Sequence, residues 1–147
     1  MIRRLFLVIG LALVAAVVPA AAAQAAPDRD KVEIFLIVYD PKGGDHDLRK
    51  EVIILKNTSR HAISLRGWTV TDNDRNHYTF KWVWLKKGDF VTLHTGKGRD
   101  TNRHVYWDKR RDVWDDHRDT AFLFDKRYRL EDKCQYHGNW SGVKFCK

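Results

Sequence analysis

The sequence predicts an all-β protein of two packed antiparallel sheets, and three observations lead to this prediction. No long segment places apolar residues at helical spacing. Short runs rich in Val, Ile, Phe, Tyr and Trp recur along the chain instead, as expected of strands. Segments rich in Gly, Pro, Asn and Asp, which favour turns, separate these runs. About seven to nine short strands without a helix are typical of an immunoglobulin-like β-sandwich.

The first two predicted strands are apolar on both faces. They are KVEIFLIVYD (31–40) and EVIILKN (51–57), and this pattern is typical of strands in the middle of a sheet. The strands predicted after them are AISLRGWTVTD (62–72), HYTF (77–80), DFVTLHT (89–95), TAFLFD (120–125) and YRLEDKCQY (128–136). The segments DPKGGDHD, TDNDRN, KKGD and TGKGRDTN are predicted to be turns and exposed loops.

The N-terminal stretch MIRRLFLVIGLALVAAVVPAAAAQA has the parts of an export signal. Two arginines precede an apolar run, and a small-x-small cleavage site follows. An uncleaved membrane anchor is the alternative, because the apolar run approaches the length that spans a bilayer. Pro19 and the alanine-rich segment after it favour cleavage, because the proline would break such a helix and the small residues present a peptidase site. We therefore predict a signal peptide at residues 1–25 and one domain at residues 26–147.

The charge of the predicted domain is positive. The chain has 27 Lys and Arg residues, two of them in the predicted signal, against 19 Asp and Glu residues. Outside the cell, such an excess favours polyanions: nucleic acid, anionic wall polymers or acidic lipid headgroups. A solvated basic surface without a ligand is the alternative interpretation.

The two cysteines, Cys134 and Cys146, both lie near the C-terminus. Export makes a disulfide between them the expected state, and this bond would attach the C-terminal tail to the domain. No third cysteine and no CxxC motif is present, so the sequence predicts neither a redox site nor a thiolate zinc site.

Six motifs in order resemble the lamin tail domain, an immunoglobulin-like β-sandwich also found in many secreted bacterial proteins. The resemblance covers nearly all of residues 32–146. It implies an interaction module that is not enzymatic in itself, and it does not supply a ligand. The motifs are EVIILKN, ISLRGWTVTD, YTF, LKKGDFVTLHTGKG, the pair YW with VWDDHRDTAFLFD, and DKC.

The acid-rich run DVWDDHRDTAFLFD (112–125) suggests a metal site when read alone. Within the resemblance, Trp114 becomes a core residue and residues 115–118 a turn that leads into a strand. Asp115 and Asp116 stand where the family usually has two asparagines. Arg118 stands where a glycine is usual, which questions the turn because glycine tolerates positive φ angles. Residues 126–128 likewise replace a glycine-containing turn.

The most basic segment is TGKGRDTNRHVYWDKRR (95–111). A long loop of flexible cations beside aromatic rings is suited to contacting phosphates and stacking on bases. The alternative is a loop kept soluble by charge, with Trp107 in the core. The predicted polyanion-binding residues in this segment are Lys97, Arg99, Arg103, Tyr106, Lys109, Arg110 and Arg111.

A second predicted binding feature is the tryptophan pair in KWVWL, Trp82 and Trp84. In an extended chain the two side chains point to the same face. Exposed indoles stack on sugars or bases, or bury into a protein partner. The alternative is that they cover one end of the sandwich. Trp68 and Trp114 lie in the shared motifs and are predicted to be core.

No cofactor or metal motif is present. The alternating Asp72, Asp74 and Asn76 suggest calcium, but an EF-hand loop also needs glycine and glutamate where the chain has His77 and Val83. The seven histidines are scattered and form no HExxH motif, and no G-x-S-x-G motif occurs. The sequence therefore does not predict an enzyme.

The sequence leads to a secreted, non-catalytic binding module, extracellular or associated with the cell wall, whose partner is nucleic acid or an anionic wall polymer. Two alternatives stay open. One is a structural surface protein that contacts another protein through exposed aromatic residues. The other is a nuclease-like hydrolase, which would need convergent His and Asp side chains in a cleft.

Overall fold

The computed structural model describes residues 31–41, 47–138 and 141–146. Within these ranges the chain is all-β, with eleven strands in three sheets and no helix. The predicted fold class, an immunoglobulin-like β-sandwich, is confirmed. The predicted signal peptide lies outside the described residues. No helix in the described ranges has the length and hydrophobicity needed to cross a membrane.

The strands are short, and every predicted run contains at least one. The run 62–72 contains two strands, separated by a turn. Three further strands were not predicted, because two or three residues are too few to show alternation. The strands are β1 Val32–Val38, β2 Val52–Asn57, β3 Ile63–Ser64, β4 Thr69–Thr71, β5 His77–Thr79, β6 Trp84–Leu85, β7 Phe90–His94, β8 His104–Tyr106, β9 Arg118–Phe124, β10 Leu130–His137 and β11 Val143–Phe145.

Two sheets form the layers of the sandwich. One has the order β11-β1-β2-β7-β8 and the other β10-β9-β4-β5, while β3 and β6 form a small two-stranded sheet. The pairs are antiparallel with one exception, since β7 and β8 run parallel. A parallel pair needs a crossover connection. Residues 95–103 therefore return from the end of β7 to the level of its start, and this places the basic segment along the sheet edge.

The core lies between the two larger sheets. Trp68 and Trp114 are only 2% and 1% exposed, which confirms that both are core residues. Trp107 is also buried, and its Nε1–H donates to the backbone carbonyl of His77 at 3.0 Å. The remaining core is mainly aliphatic and includes Ile34, Ile37, Ile53, Leu55, Val91 and Leu93 from one sheet and Val70, Ala121 and Leu123 from the other.

Strands β1 and β2 occupy the middle of the five-stranded sheet, as their apolar faces predicted. Their outward-facing side chains are only half-buried, among them Leu36 and Ile54. On this outer face the ring of Phe35 lies 5.2 Å from that of Phe90 and 6.4 Å from that of Phe145. The outer surface of this sheet therefore carries a cluster of aromatic rings, with the Lys56 ammonium within cation–π distance of two of them.

A buried carboxylate, that of Glu51, joins three parts of the chain at one end of the sandwich. Its Oε1 accepts hydrogen bonds from Thr95 Oγ1 at 2.6 Å and from the backbone N–H groups of Val113 and Trp114 at 2.8 and 3.3 Å. Burial raises the pKa of Glu51 to about 7. Glu51 thus positions the segment that follows the basic loop.

The predicted disulfide between Cys134 and Cys146 is present, with the two Cα atoms 5.7 Å apart. Cys134 lies in β10 and Cys146 directly follows β11, so the bond joins the two sheets. The rings of Tyr39 and Tyr136 stack nearby with centroids 4.3 Å apart. The C-terminal strand is therefore covalently attached to the opposite layer.

Candidate functional site

The crossover distributes the predicted basic segment over both ends of one sheet edge. At the end of β7, the N–H of Lys109 donates to the carbonyl of Thr95 at 3.0 Å, which places Lys97 and residues 109–111 there. At the opposite end, the N–H of Thr92 donates to the carbonyl of Arg103 at 2.9 Å. The predicted cations therefore follow an edge, the basic edge, rather than forming one compact patch.

Five of the predicted cations are exposed, and four of these have no intramolecular partner within the described ranges: Lys97, Arg99, Arg110 and Arg111. None of their side chains forms an ion pair or hydrogen bond with another residue in the described part of the chain. Arg110 and Arg111 line a cleft of ≈ 390 Å³ that Asp74 and Asp112 also line. Among the predicted cations, these four are therefore the ones whose charge is not already engaged by another described residue.

Two other predicted cations have intramolecular partners. The guanidinium of Arg103 lies 3.1 Å from the carboxylate of Asp89 and donates to the carbonyl of Phe90 at 3.3 Å. The Nζ of Lys109 donates to Asn76 Oδ1 at 2.8 Å. These bonds orient both side chains, and they reduce the contribution of each side chain to electrostatic binding of a ligand.

The predicted aromatic residue of the basic segment, Tyr106, is half-buried. One face of its ring stacks on the ring of His94, with centroids 4.7 Å apart. The backbone of Gly98 packs so closely on the same ring that a Cβ atom at this position would overlap it. Burial lowers the pKa of His94, and its Nε2 lies 3.0 Å from Nδ1 of His104. Tyr106 therefore has a packing role, and little of its ring is free to stack.

The tryptophan pair is exposed and does not cover the sandwich end. Trp82 is 77% exposed and Trp84 59% exposed, whereas Val83 and Leu85 between and after them are buried. This alternation is that of an extended chain with one face in the core. Both indoles consequently point to solvent from the same face.

Asn102, in the crossover, attaches the tryptophan pair to the basic edge. Its Oδ1 accepts the N–H of Trp84 and its Nδ2 donates to the carbonyl of Trp84, both at 2.7 Å. This side chain thus replaces the backbone partner that an edge strand lacks. From the other side, the guanidinium of Arg66 lies 5.3 Å from the ring centroid of Trp82, within cation–π distance.

Sequence reasoning missed Asn102 and Arg66. Asn102 lies within the basic segment but is uncharged, and its role depends on which strand the crossover approaches. Arg66 belongs to the turn between β3 and β4, 16 residues before Trp82 in sequence, and only the β3–β6 pairing brings the two together. No local signal identifies either residue.

The acid-rich run serves mainly as turns, as predicted. Asp115 Oδ1 accepts the N–H groups of His117 and Arg118 at 2.7 and 3.1 Å, and these bonds lower the pKa of Asp115. Asp119 is buried and accepts the N–H groups of Thr120 and Asn73; burial raises its pKa. Arg118 begins β9 without a positive φ, so the glycine usual in the family is not needed here.

The residues considered for calcium also form a turn. The carboxylate of Asp72 is buried and accepts the N–H of Asn76 at 2.7 Å and its Nδ2 at 2.5 Å. Within the described ranges, no group of three or more His, Cys, Asp or Glu side chains is arranged to hold a metal ion. The geometry of Asp72 is accounted for by capping of its own turn.

The fold and its exposed features define an immunoglobulin-like domain with a basic edge and an aromatic pair held beside it. Residues 25–138 match the family model of the Lamin Tail Domain. The chain therefore belongs to this family, which confirms the resemblance seen in its motifs and indicates a lamin-tail-like interaction domain. No curated protein matches the chain.

Proposed function

We propose that this protein is a secreted, non-catalytic binding module that captures a polyanion, nucleic acid or an anionic wall polymer, outside the cell or at the wall. One observation carries the proposal: two exposed indoles, Trp82 and Trp84, are held by Asn102 beside one end of the basic edge. The disulfide between Cys134 and Cys146 supports secretion, because disulfides form and persist in oxidising compartments.

The exposed cations supply the electrostatic part of binding. A protein that neutralises phosphates releases their counterions, so that log K falls by about 0.7 to 0.9 per phosphate for each unit of log salt. If the four unpaired cations, Lys97, Arg99, Arg110 and Arg111, each contact one phosphate, the slope for a single strand is about −3. Arg103 and Lys109 contribute less because each already has a partner.

The tryptophan pair supplies the part of binding that depends on rings. Stacking of a base on an aromatic side chain contributes about 1 to 3 kcal/mol per base. Trp82 and Trp84 are both open to solvent, whereas Tyr106 is packed against His94 and Gly98. We therefore assign aromatic contact to the two tryptophans rather than to Tyr106.

The test compares a single-stranded oligonucleotide with poly(glycerol phosphate), a wall polymer without rings, by fluorescence anisotropy at about 50 mM and about 200 mM salt. Both ligands should bind more weakly at the higher salt. The double substitution Trp82→Ala with Trp84→Ala should lower the affinity for the oligonucleotide on the order of tenfold or more. It should change the affinity for the polymer little. Charge reversal at Arg110 and Arg111 should lower the affinity for both ligands.

Two outcomes would contradict this function. Binding that does not respond to salt would exclude electrostatic capture, and cleavage of the oligonucleotide in the presence of Mg²⁺, Ca²⁺ or Zn²⁺ would instead support a hydrolase. Phe145→Ala is the matched control, because it removes an exposed aromatic ring of β11, at the opposite edge of the sheet from β8. It should leave both affinities unchanged.

The second candidate function is contact with a protein partner, favoured by the aromatic cluster on the outer face of the five-stranded sheet. Phe145 is 64% exposed there and lies against Phe35, which in turn contacts Phe90. The labelled protein would then bind to intact cells, and protease treatment of the cells would abolish binding. Phe145→Ala should reduce this binding, whereas charge reversals on the basic edge should not.

A further inference from the structure

A second candidate site lies on the outer face of the four-stranded sheet. Strands β4 and β5 pair Thr69 with Thr79 and Thr71 with His77. These four side chains form an array on the face that points away from the core, while Val70 of β4 points inward. The hydroxyls of Thr69 and Thr79 lie 3.2 Å apart. This face of β4 and β5 therefore carries three hydroxyls and one imidazole, of which Thr79 and His77 are exposed and Thr69 is buried.

Two loop residues border this array, Tyr128 and Arg75, and with the array and Asp72 they line an open cleft of ≈ 360 Å³. Tyr128 comes from the turn between β9 and β10 and is 79% exposed. Arg75 comes from the turn between β4 and β5, and it forms no ion pair with any residue of the described part of the chain. An open aromatic ring and a cation thus border a floor of hydroxyl groups.

Both bordering residues have a backbone conformation that favours glycine. The φ angle is +57° at Tyr128 and +67° at Arg75. A side chain in this left-handed region is disfavoured, and such residues are concentrated at functional sites. Glycine would adopt each of these φ angles with less conformational strain. The side chains of Tyr128 and Arg75 are therefore present although they strain the local backbone.

A buried aspartate holds each of the two turns. Asp125 Oδ1 accepts the N–H groups of Arg127 and Arg129 at 2.7 and 2.9 Å, around Tyr128. Asp72 Oδ1 accepts the N–H of Asn76 at 2.7 Å, next to Arg75. Both aspartates are 5% exposed. Two independent turns are therefore fixed so that each presents a side chain to the same cleft.

We propose that this cleft binds an acidic saccharide, a sugar that carries a carboxylate. A pyranose ring has an apolar C–H face and a rim of hydroxyls. The exposed ring of Tyr128 suits the C–H face, and threonine hydroxyls both donate and accept hydrogen bonds, as sugar hydroxyls require. The guanidinium of Arg75, which forms no ion pair with a described residue, suits a carboxylate, to which it can donate two parallel hydrogen bonds. This site is separate from the basic edge and does not depend on polyanion capture there.

Isothermal titration calorimetry with tetragalacturonate and the neutral galactotetraose tests this inference. The wild-type protein should bind tetragalacturonate on the order of tenfold more tightly than the neutral sugar. Tyr128→Gly should remove measurable binding of both sugars. Arg75→Gly should remove the preference for the acidic sugar and leave the neutral one bound. Both variants should raise the urea midpoint of unfolding, because glycine relieves the positive φ.

A gain in stability together with a loss of binding separates a role in binding from a role in folding. Phe145→Ala is the control for a nonspecific aromatic effect and should change neither sugar affinity. The inference is overturned if neither sugar binds, or if Tyr128→Gly and Arg75→Gly bind as the wild type does. It is also overturned if Trp82→Ala with Trp84→Ala, and not Tyr128→Gly, abolishes binding, since the sugar would then occupy the tryptophan pair.

Discussion

Replacement of Glu51 by glutamine tests the energetic consequence of the buried carboxylate. The side chain is 1% exposed, and Oε1 accepts three hydrogen bonds. Oε2 is buried without a hydrogen-bond partner in the described part of the molecule. Burial removes the water that would hydrate the charged carboxylate, and hydrogen bonds to Oε1 alone do not compensate for this loss. The pKa of Glu51 consequently rises from 4.5 to about 7.

The size and sign of the effect follow from this shift. Between pH 4.5 and about 7 the folded protein holds a proton on Glu51 that the unfolded chain has lost. The unfolded chain binds fewer protons in this window, so stability falls as the pH rises. The stabilisation from protonated Glu51 is complete below the pKa that this group has in the unfolded chain, 4.5. It is lost once the pH exceeds the pKa of Glu51 in the folded protein, about 7. At about 1.4 kcal/mol per pKa unit, the loss is about 3 kcal/mol. Glutamine keeps an acceptor oxygen at this position but does not titrate.

The assay is urea unfolding of the disulfide-bonded wild type and of Glu51→Gln between about pH 4.5 and about pH 8. The lowered pKa of His94 makes stability rise with pH in an overlapping window, and Asp119 has a raised pKa. Both groups are present in both proteins, so the difference between the two curves isolates Glu51. As pH rises, the free energy of unfolding of Glu51→Gln should increase relative to that of the wild type by about 3 kcal/mol. A difference that does not vary with pH would refute the argument.

Three further predictions concern the disulfide, the core and the candidate site. Cys134→Ser with Cys146→Ser should lower the free energy of unfolding by about 3 kcal/mol; in urea titrations the reduced wild type should match the double variant, and an unchanged midpoint would exclude a stabilising bond. Trp68→Ala should cost about 3 to 5 kcal/mol in the same titrations, whereas Trp82→Ala should stay within about 0.5 kcal/mol; equal losses would contradict the assigned burial. Asn102→Ala should weaken oligonucleotide binding without altering its salt slope, because no charge is removed; a changed slope would contradict its assigned role.

Alternating apolar runs and turn residues predicted most of the fold. The central position of β1 and β2 follows from their apolar faces, the core positions of Trp68 and Trp114 from the family motifs, and the disulfide from two cysteines in a chain predicted to be exported. The three missed strands have two or three residues each, and their pairing partners define them rather than their own composition. The parallel pairing of β7 with β8 was likewise not visible in the sequence.

The candidate site was predictable in its residue types but not in its arrangement. The sequence located the cations and the tryptophan pair, but it grouped Arg103 and Lys109 with cations that lack partners. Their partners, Asp89 and Asn76, lie in other turns. Tyr106 was expected to stack on a ligand, and instead it packs on His94 across a strand pair. Each difference arises from a contact between segments distant in sequence.

The sequence by itself determined the fold class, the family motifs and the positive charge, because these depend on residue type and on spacing over a few residues. The tertiary structure decided which cations stay unpaired, that Trp82 and Trp84 face solvent, and that Tyr128 and Arg75 border one cleft. The physical reason is that exposure and pairing of a side chain depend on the strands that pack beside it. Those neighbours are brought together by sheet topology and not by proximity along the chain.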